Sequence, residues 1–324
     1  MRSKRGSSGL CGVLAIDKPA GMTSHDVVDR VRRITGERRV GHAGTLDPAA
    51  TGLMLVGVGA ATRLSEYLTG HDKRYEARIA FGVATDTDDA EGRVLDVGDI
   101  DAACADMTHD RAQAVLDCFT GELDQLPPAF SAIKKNGTVA YKAAREGASI
   151  ELDMRKVTVH AAQLVKMGSL AERLRDSRGD IDEYELPCWD VSFHVSKGTY
   201  IRALARDMGA YLGCGAHLAS LRRTSIATVD VDEASTLEEL ERIVSAGEPI
   251  PWCDPAGLLG FPVIELCERQ ARSVANGAVL DGVSEPSDGL VSCVRDDRLL
   301  AVYNWSAGSC RPATVIPGGV VGVG

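Results

Sequence analysis

The chain has 324 residues, 44% of them hydrophobic and 25% charged, enough for one large domain or a large domain with a small companion. No run approaches the roughly 20 apolar residues of a membrane span, and the basic start MRSKRGSSGL lacks the apolar stretch of a signal peptide, so a soluble, cytoplasmic protein with no membrane partner is expected. Net charge is −10, yet residues 1–80 hold 13 Lys/Arg against 8 Asp/Glu, so the total does not exclude a phosphate-bearing partner, which responds to the local basic face.

Residues 11–17, CGVLAID, read as a short strand ending at Lys18-Pro19. TSHDVVDRVRRITG then carries a helix's punctuation: Thr23 or Ser24 as N-cap, acids in the first turn, and Gly36 as the stop. Val27, Val28, Val31 and Ile34 form its apolar stripe. Arg30, Arg32 and Arg33, joined by Arg38 and Arg39, make a basic cluster. In GHAGTLDPAATGLMLVGVG the apolar run 53–58 predicts a buried strand, while His42, Thr45 and Asp47 fall in the Gly/Pro-punctuated loop ahead of it. Thr62 is expected to cap a short helix, RLSEYL.

DKRYEARIAFG alternates, with Tyr75, Ala77, Ile79 and Phe81 on one face and Glu76, Arg78 and Ala80 on the other. VATDTDDAEG reads as a polar hairpin-like loop, 108–118 as a helix, LPPAFSAIKKNG as a Pro-led irregular segment, and VAYKAAREG as a short helix. Residues 169–186 are strongly charged without apolar periodicity, which predicts a loop or exposed insertion. Trp189, Val191, Phe193 and Val195 then alternate with Asp190, Ser192, His194 and Ser196, a strand leading through KGTY into the helix IRALARDMGAYLG. The Pro/Gly-rich stretch 246–258 reads as a linker, and the short strands GLVSCVR and LLAVYNW beyond it as a small all-β module.

No dinucleotide loop, Walker-type phosphate loop or nucleophile elbow is present, and the histidines never fall at metal-binding spacing. The nine cysteines make no Cys-x-x-Cys pair, so reduced, mostly buried thiols are expected. An enzyme of this kind is expected to work without metal, nicotinamide or ATP. That leaves hydrolysis, isomerisation or transfer by side chains. Asp47, fixed by the Pro48 that follows it, Tyr75 at the head of an alternating strand, and Arg202 at a helix start supply reactive groups. Each taken alone is ordinary: an Asp-Pro turn, a rim tyrosine, a solvated helix arginine.

The segments GVLAIDKPAGMTSHDVV, GHAGTLDPAATGLMLVGVG, DKRYEARIAFG, TDTDDAEG, LPPAFSAIK and SKGTYIRALARDMG occur in that order. Together they resemble the bacterial TruB-type tRNA pseudouridine synthases over residues 11 to 225. The resemblance implies an α+β fold, a large, mainly antiparallel mixed sheet flanked by helices, with a small C-terminal β module. It implies a catalytic domain over 1–245, carrying a thumb-like segment at about 125–155, and a PUA-like β domain over 246–324. It implies conversion of uridine 55 in the tRNA T-loop to pseudouridine on a flipped-out nucleotide, with no cofactor, no metal and no protein partner, by a monomer.

On this resemblance Asp47 matches the catalytic aspartate, Arg202 the arginine paired with it, and Tyr75 the active-site tyrosine that stacks on the uracil. His42 matches the histidine inserted where the flipped base was. Asp89 matches the residue meeting the uracil's polar edge, with a register uncertain by one residue, and Leu221 one that packs on the base. Tyr200 and Lys18 are carried among the substrate-binding residues. The Arg30–Arg39 cluster and Lys73-Arg74 become a phosphate track. Whether the carboxylate adds to the base, attacks C1′ or removes a sugar proton stays open. A tRNA-folding chaperone and a guide-directed ribonucleoprotein subunit are the competing functions; the thumb-like segment argues against the second.

Overall fold

In the computed structural model, which describes residues 8–99, 107–131, 134–135, 138–139, 152–176, 178–280, 288–306 and 309–323, the chain forms two units: Met1–His71 with Ser225–Gly324, and Asp72–Thr224.

The first unit begins with β1 (Gly12–Lys18), where the apolar run is buried almost throughout. Helix α1 (Ser24–Thr35) follows, bounded as its punctuation predicts. The Thr23 hydroxyl accepts from Asp26 N at 3.1 Å, the Asp26 carboxylate accepts from Thr23 N at 2.8 Å, and Gly36 closes the helix at φ 64°. Its buried face is Val27, Val28 and Val31. Strands β2 (Val40–Ala43) and β3 (Thr51–Val58) come next, and β3 pairs antiparallel with both β1 and β2. After β3 the chain turns at Gly59, where φ is 66° and an added Cβ would lie 2.3 Å from the Leu10 carbonyl oxygen, so only glycine fits. That turn opens a 3₁₀ helix, Gly59–Leu64, and only then helix α2 (Ser65–Thr69). Thr62 is therefore not the expected cap; its hydroxyl donates to the Gly59 carbonyl at 2.9 Å inside the 3₁₀ turn.

The second unit holds β4 (Lys73–Phe81), the hairpin β5 (Val83–Thr85) and β6 (Val94–Val97), helix α3 (His109–Cys118), β7 (Gly121–Gln125), the small pair β8 (Lys134–Lys135) and β9 (Thr138–Val139), β10 (Arg155–Arg175), β11 (Ile181–Val195), helix α4 (Ile201–Leu212) and β12 (Ala216–Ile226). Its sheet runs β12-β4-β11-β10-β7, antiparallel through β4, β11, β10 and β7. Phe81 and Trp189 pack with ring centroids 4.4 Å apart inside it. Most of the thumb-like segment, with the expected helix in VAYKAAREG, lies outside the described residues.

Residues 169–186 are not a loop. They continue β10 and β11 as a long hairpin in register from Ser169↔Pro187 to Arg175↔Ile181. Apolar alternation is missing because this part of the ladder has little core to face: Leu174 and Leu186, with Tyr184 packed against them, reach a buried cluster with Ala80 and Val83. Cross-strand charges such as Arg173 and Glu183, 3.4 Å apart, line the rest.

The chain then returns to the first unit with β13 (Val229–Asp230), helix α5 (Leu237–Ala246), β14 (Trp252–Cys253), helix α6 (Pro255–Leu259), β15 (Val263–Glu265), helix α7 (Glu268–Ala275), β16 (Gly289–Arg295), β17 (Arg298–Ser306) and β18 (Ser309–Val321). Strands β15 to β18 form the expected small C-terminal sheet, with β15 and β16 parallel. The stretch 246–258 is structured rather than a linker: β14 pairs with β1, and the Asp254 carboxylate caps α6 by accepting from Ala256 N at 2.9 Å. The small sheet also shares one apolar cluster with the N-terminal strands, where Leu299, Val302, Ile316 and Val320 join Val13, Leu53 and Leu55. The architecture is thus the expected antiparallel sheet with flanking helices and a C-terminal sheet.

Candidate active site

Asp47 sits half-buried in the turn between β2 and β3, and its neighbours are clamped on both sides. The Ser24 hydroxyl, 1% exposed, donates to the Leu46 carbonyl and accepts from Leu46 N, both at 2.9 Å. On the other side the Pro48 carbonyl accepts from Gly21 N at 2.9 Å and from the Lys18 ammonium at 3.0 Å. Lys18 also donates to the Pro19 carbonyl at 2.8 Å and is fully buried. Its ammonium thus holds two carbonyls of the segments flanking Asp47. The pyrrolidine of Pro48 restricts Asp47, and Ala50 N closes the turn on the Asp47 carbonyl at 3.2 Å. His42 lies half-buried in β2 opposite Val56, with its ring edge-on to His25 at 5.6 Å.

In the second unit Arg202, 5% exposed, starts α4. Its guanidinium donates to the Thr87 carbonyl at 2.9 Å and the Phe130 carbonyl at 3.0 Å, and lies 3.3 Å from an Asp89 carboxylate oxygen. The planar fork is held by backbone on two sides, which fixes its direction in a way a lysine could not. The other Asp89 oxygen accepts from the Thr87 hydroxyl at 2.5 Å and Glu91 N at 3.1 Å. The repeated acids of TDTDDAEG are thereby sorted: Asp89 goes to Arg202, and Asp88 to Arg206 at 3.0 Å. Asp88 occupies the left-handed region at φ 61°, and burial pushes its carboxyl up against the opposing pull of Arg206 and Arg202. A cavity of about 560 Å³ beside it is lined by Asp86, Asp88, Asp153 and Arg206 among others.

Tyr75 is 7% exposed on β4 and pairs with Phe193, on the inner face that the alternation predicts. Tyr200 caps α4, and the Gln125 amide fixes its backbone by donating to its carbonyl at 3.1 Å and accepting from its N–H at 2.8 Å. Leu221 lies half-buried on β12. Within the second unit the structure thus brings Arg202 and Asp89 together; within the first it ties Lys18 to the loop of Asp47.

Ser24, Gln125 and Arg206 escaped sequence reasoning because their partners are backbone or lie far along the chain. Lys73 is also placed differently from expectation. It is 7% exposed, on the same face as Tyr75 two residues on, so it is not part of a surface phosphate track. The alternation of DKRYEARIAFG, extended back from Tyr75, carries that signal. Arg74 is exposed, as are Arg33, Arg38 and Arg39. Arg30 pairs with Glu241, and Arg32 with Asp29 at 2.6 Å, surface pairs too weak to withhold either from a phosphate. Among the described residues no helix is long and apolar enough to cross a membrane.

The N-terminal domain of TruB family pseudouridylate synthases matches residues 32–201, and the tRNA pseudouridylate synthase B C-terminal domain matches residues 202–248. A tRNA pseudouridine synthase B from Thermobifida fusca (strain YX) is 43% identical over 309 residues, covering 95% of this chain and 99% of the relative. Its counterpart from Mycobacterium bovis (strain BCG / Pasteur 1173P2) is 41% identical over 314 residues, 95% of this chain and 98% of that one. Among solved structures, an archaeal box H/ACA sRNP Nop10-Cbf5 complex contains a chain with a TM-score of 0.63 at 23% identity, covering 94% of this chain and 86% of that chain, a likeness of fold. The chain belongs to the TruB family of pseudouridylate synthases.

Proposed function

We propose that this protein isomerises uridine 55 in the T-loop of tRNA to pseudouridine, with Asp47 as the catalytic carboxylate. The observation that carries this reading is the loop itself: in a chain of this family, Leu46 and Pro48 are both clamped, which points the intervening Asp47. The reaction breaks the bond from C1′ to N1, turns the uracil, and joins C1′ to C5. The C5 proton leaves and N1 gains one, so no oxidant or reductant enters. Addition to the base, attack on C1′ and removal of a sugar proton all require the carboxylate to be ionised.

Arg202 keeps that carboxylate ionised when RNA excludes water. Tyr75 stacks on the extruded uracil, Leu221 packs on it, Asp89 meets its polar edge, and Tyr200 lines the same pocket. Flipping the nucleotide out costs a few kcal/mol, and His42 fills the place it leaves. Arg33, Arg38 and Arg39 contact phosphates without reading sequence. Residues 1–245 form the catalytic domain with a thumb at about 125–155, and 246–324 form a PUA-like β domain; the protein acts as a monomer in the cytoplasm.

Asp47→Asn tests the assignment. Pseudouridine formation in unmodified tRNA should vanish while tRNA binding and the folded spectrum persist. Retention of a tenth of the wild-type rate would remove Asp47 from this role. Rescue of a deletion strain by the same variant would make tRNA folding, not catalysis, the function that matters.

A further inference from the structure

Two imidazoles and a carboxylate meet on the outer face of the second unit's sheet. Asp72 immediately precedes β4, His194 lies in β11 opposite Arg74, and His160 lies in β10. Val159 pairs with Val195 but Ala161 pairs with His194, so β10 carries one extra residue, and His160 and Ala161 both lie across from His194. A bulge of this kind re-aims a side chain. His160 Nε2 comes within 3.0 Å of Asp72 Oδ2, His194 Nε2 within 3.9 Å of the same oxygen, and the two rings lie 4.7 Å apart. One donor atom from each residue lies within 4.8 Å of the others.

We propose that Asp72, His160 and His194 form a binding site for a borderline divalent transition ion of the Zn²⁺ class. Metal–ligand bonds of about 2.0–2.2 Å hold donor atoms roughly 3–3.5 Å apart. The three side chains need close by only about 1 Å, and with exposures of 48%, 36% and 30% they are free to do so. Two imidazoles with one carboxylate suit zinc and its neighbours and disfavour calcium and magnesium, which take oxygen ligands. Arg74 faces His194 across the ladder, and Asp72 supplies the compensating charge. The ligands come from the head of β4, from β10 and from β11, so a bound ion ties three strands together and leaves positions open to water or a phosphate oxygen. None of the three takes part in the proposed catalysis, and Tyr75 faces the opposite side of β4.

The test uses the untagged full chain stripped of metal, titrated with Co²⁺ followed by absorption and with Zn²⁺ followed by calorimetry. Equimolar binding is expected, together with a rise in melting temperature on adding Zn²⁺. Binding should weaken at least tenfold in each of His160→Gln, His194→Gln and Asp72→Asn, with Ca²⁺ and Mg²⁺ without effect. All three positions are solvent-accessible, and melting of the metal-free variants checks that they fold. No binding of either ion up to about 1 mM would overturn the site, and so would undiminished binding in the histidine variants.

Discussion

Ser24→Ala is the sharpest probe of how the Asp47 loop is held. The hydroxyl serves both backbone groups of Leu46 at 2.9 Å, in a site 1% exposed to solvent, so its removal leaves a buried N–H and a buried C=O unpaired. An unsatisfied buried group costs about 1–3 kcal/mol, and alanine's better helix propensity at the first residue of α1 returns about 0.5 kcal/mol. A net loss of about 2–4 kcal/mol in urea unfolding is expected. The catalytic consequence is separable. Leu46 adjoins Asp47, and a displacement of about 1 Å in a reacting group costs on the order of 100-fold in rate. Single-turnover release of tritium from tRNA labelled at uracil C5 should fall by 10- to 100-fold, with tRNA affinity unchanged. Thr23→Ala supplies the control, because it removes the α1 cap at about 1 kcal/mol without touching Leu46. If Ser24→Ala loses stability yet turns over at the wild-type rate, the loop does not need its clamp and the positioning argument fails.

Three further outcomes follow from packing and charge. Gly209 lies in α4 where an added Cβ would meet Ala216 N at 2.2 Å and Gly215 C at 2.4 Å, so Gly209→Ala should destabilise by about 1–3 kcal/mol in thermal or urea melts, although alanine favours helix by about 1 kcal/mol. An increase in stability would show that α4 can move off β12. Burial first, and Arg223 second, push the Lys73 ammonium down to about 8 from an ordinary 10.5. A lowered lysine value means the unfolded chain binds more protons between those limits, so stability from this group rises with pH from about 8 to 10.5 and is flat below, by on the order of 3 kcal/mol in all. Urea midpoints at pH 7.5 and 9.5 should therefore rise more in wild type than in Lys73→Met, and parallel curves would refute the assignment. Deleting residues 261–324 uncovers Val13, Leu53, Leu55 and Leu64, each worth about 1.5–3 kcal/mol when buried, a loss comparable to a domain's whole stability. The truncated chain should lose cooperative unfolding, and a soluble fragment melting like wild type would contradict the shared core.

Legibility in the sequence followed punctuation and contrast. Helices α1 and α4 could be bounded because Thr23, Gly36 and Gly213 mark their ends, and β4 because a core lies on one side only. The hairpin of β10 and β11 could not, since a ladder with charge on both faces looks like a loop until Leu174 and Leu186 are seen to touch the core. At the site, Asp47 was visible only through the ordered motifs around it, because an Asp-Pro turn is common chemistry. The sequence places Lys18 among the substrate-binding residues and Lys73 on a phosphate track. Their burial depends on which carbonyls and side chains the fold brings near, although extending the β4 alternation back from Tyr75 would have placed Lys73 inside. The meeting of His160 and His194 depends on strand register and one bulge, which no local pattern encodes.

The central claim is that this chain makes pseudouridine at one place in tRNA. Incubating the purified protein with unmodified tRNA and mapping pseudouridine by chemical labelling tests it directly. Modification at uridine 55 of the T-loop by wild type, and none by Asp47→Asn, is the predicted result. Modification elsewhere with the T-loop untouched, or labelling that survives in the Asp47 variant, would contradict it.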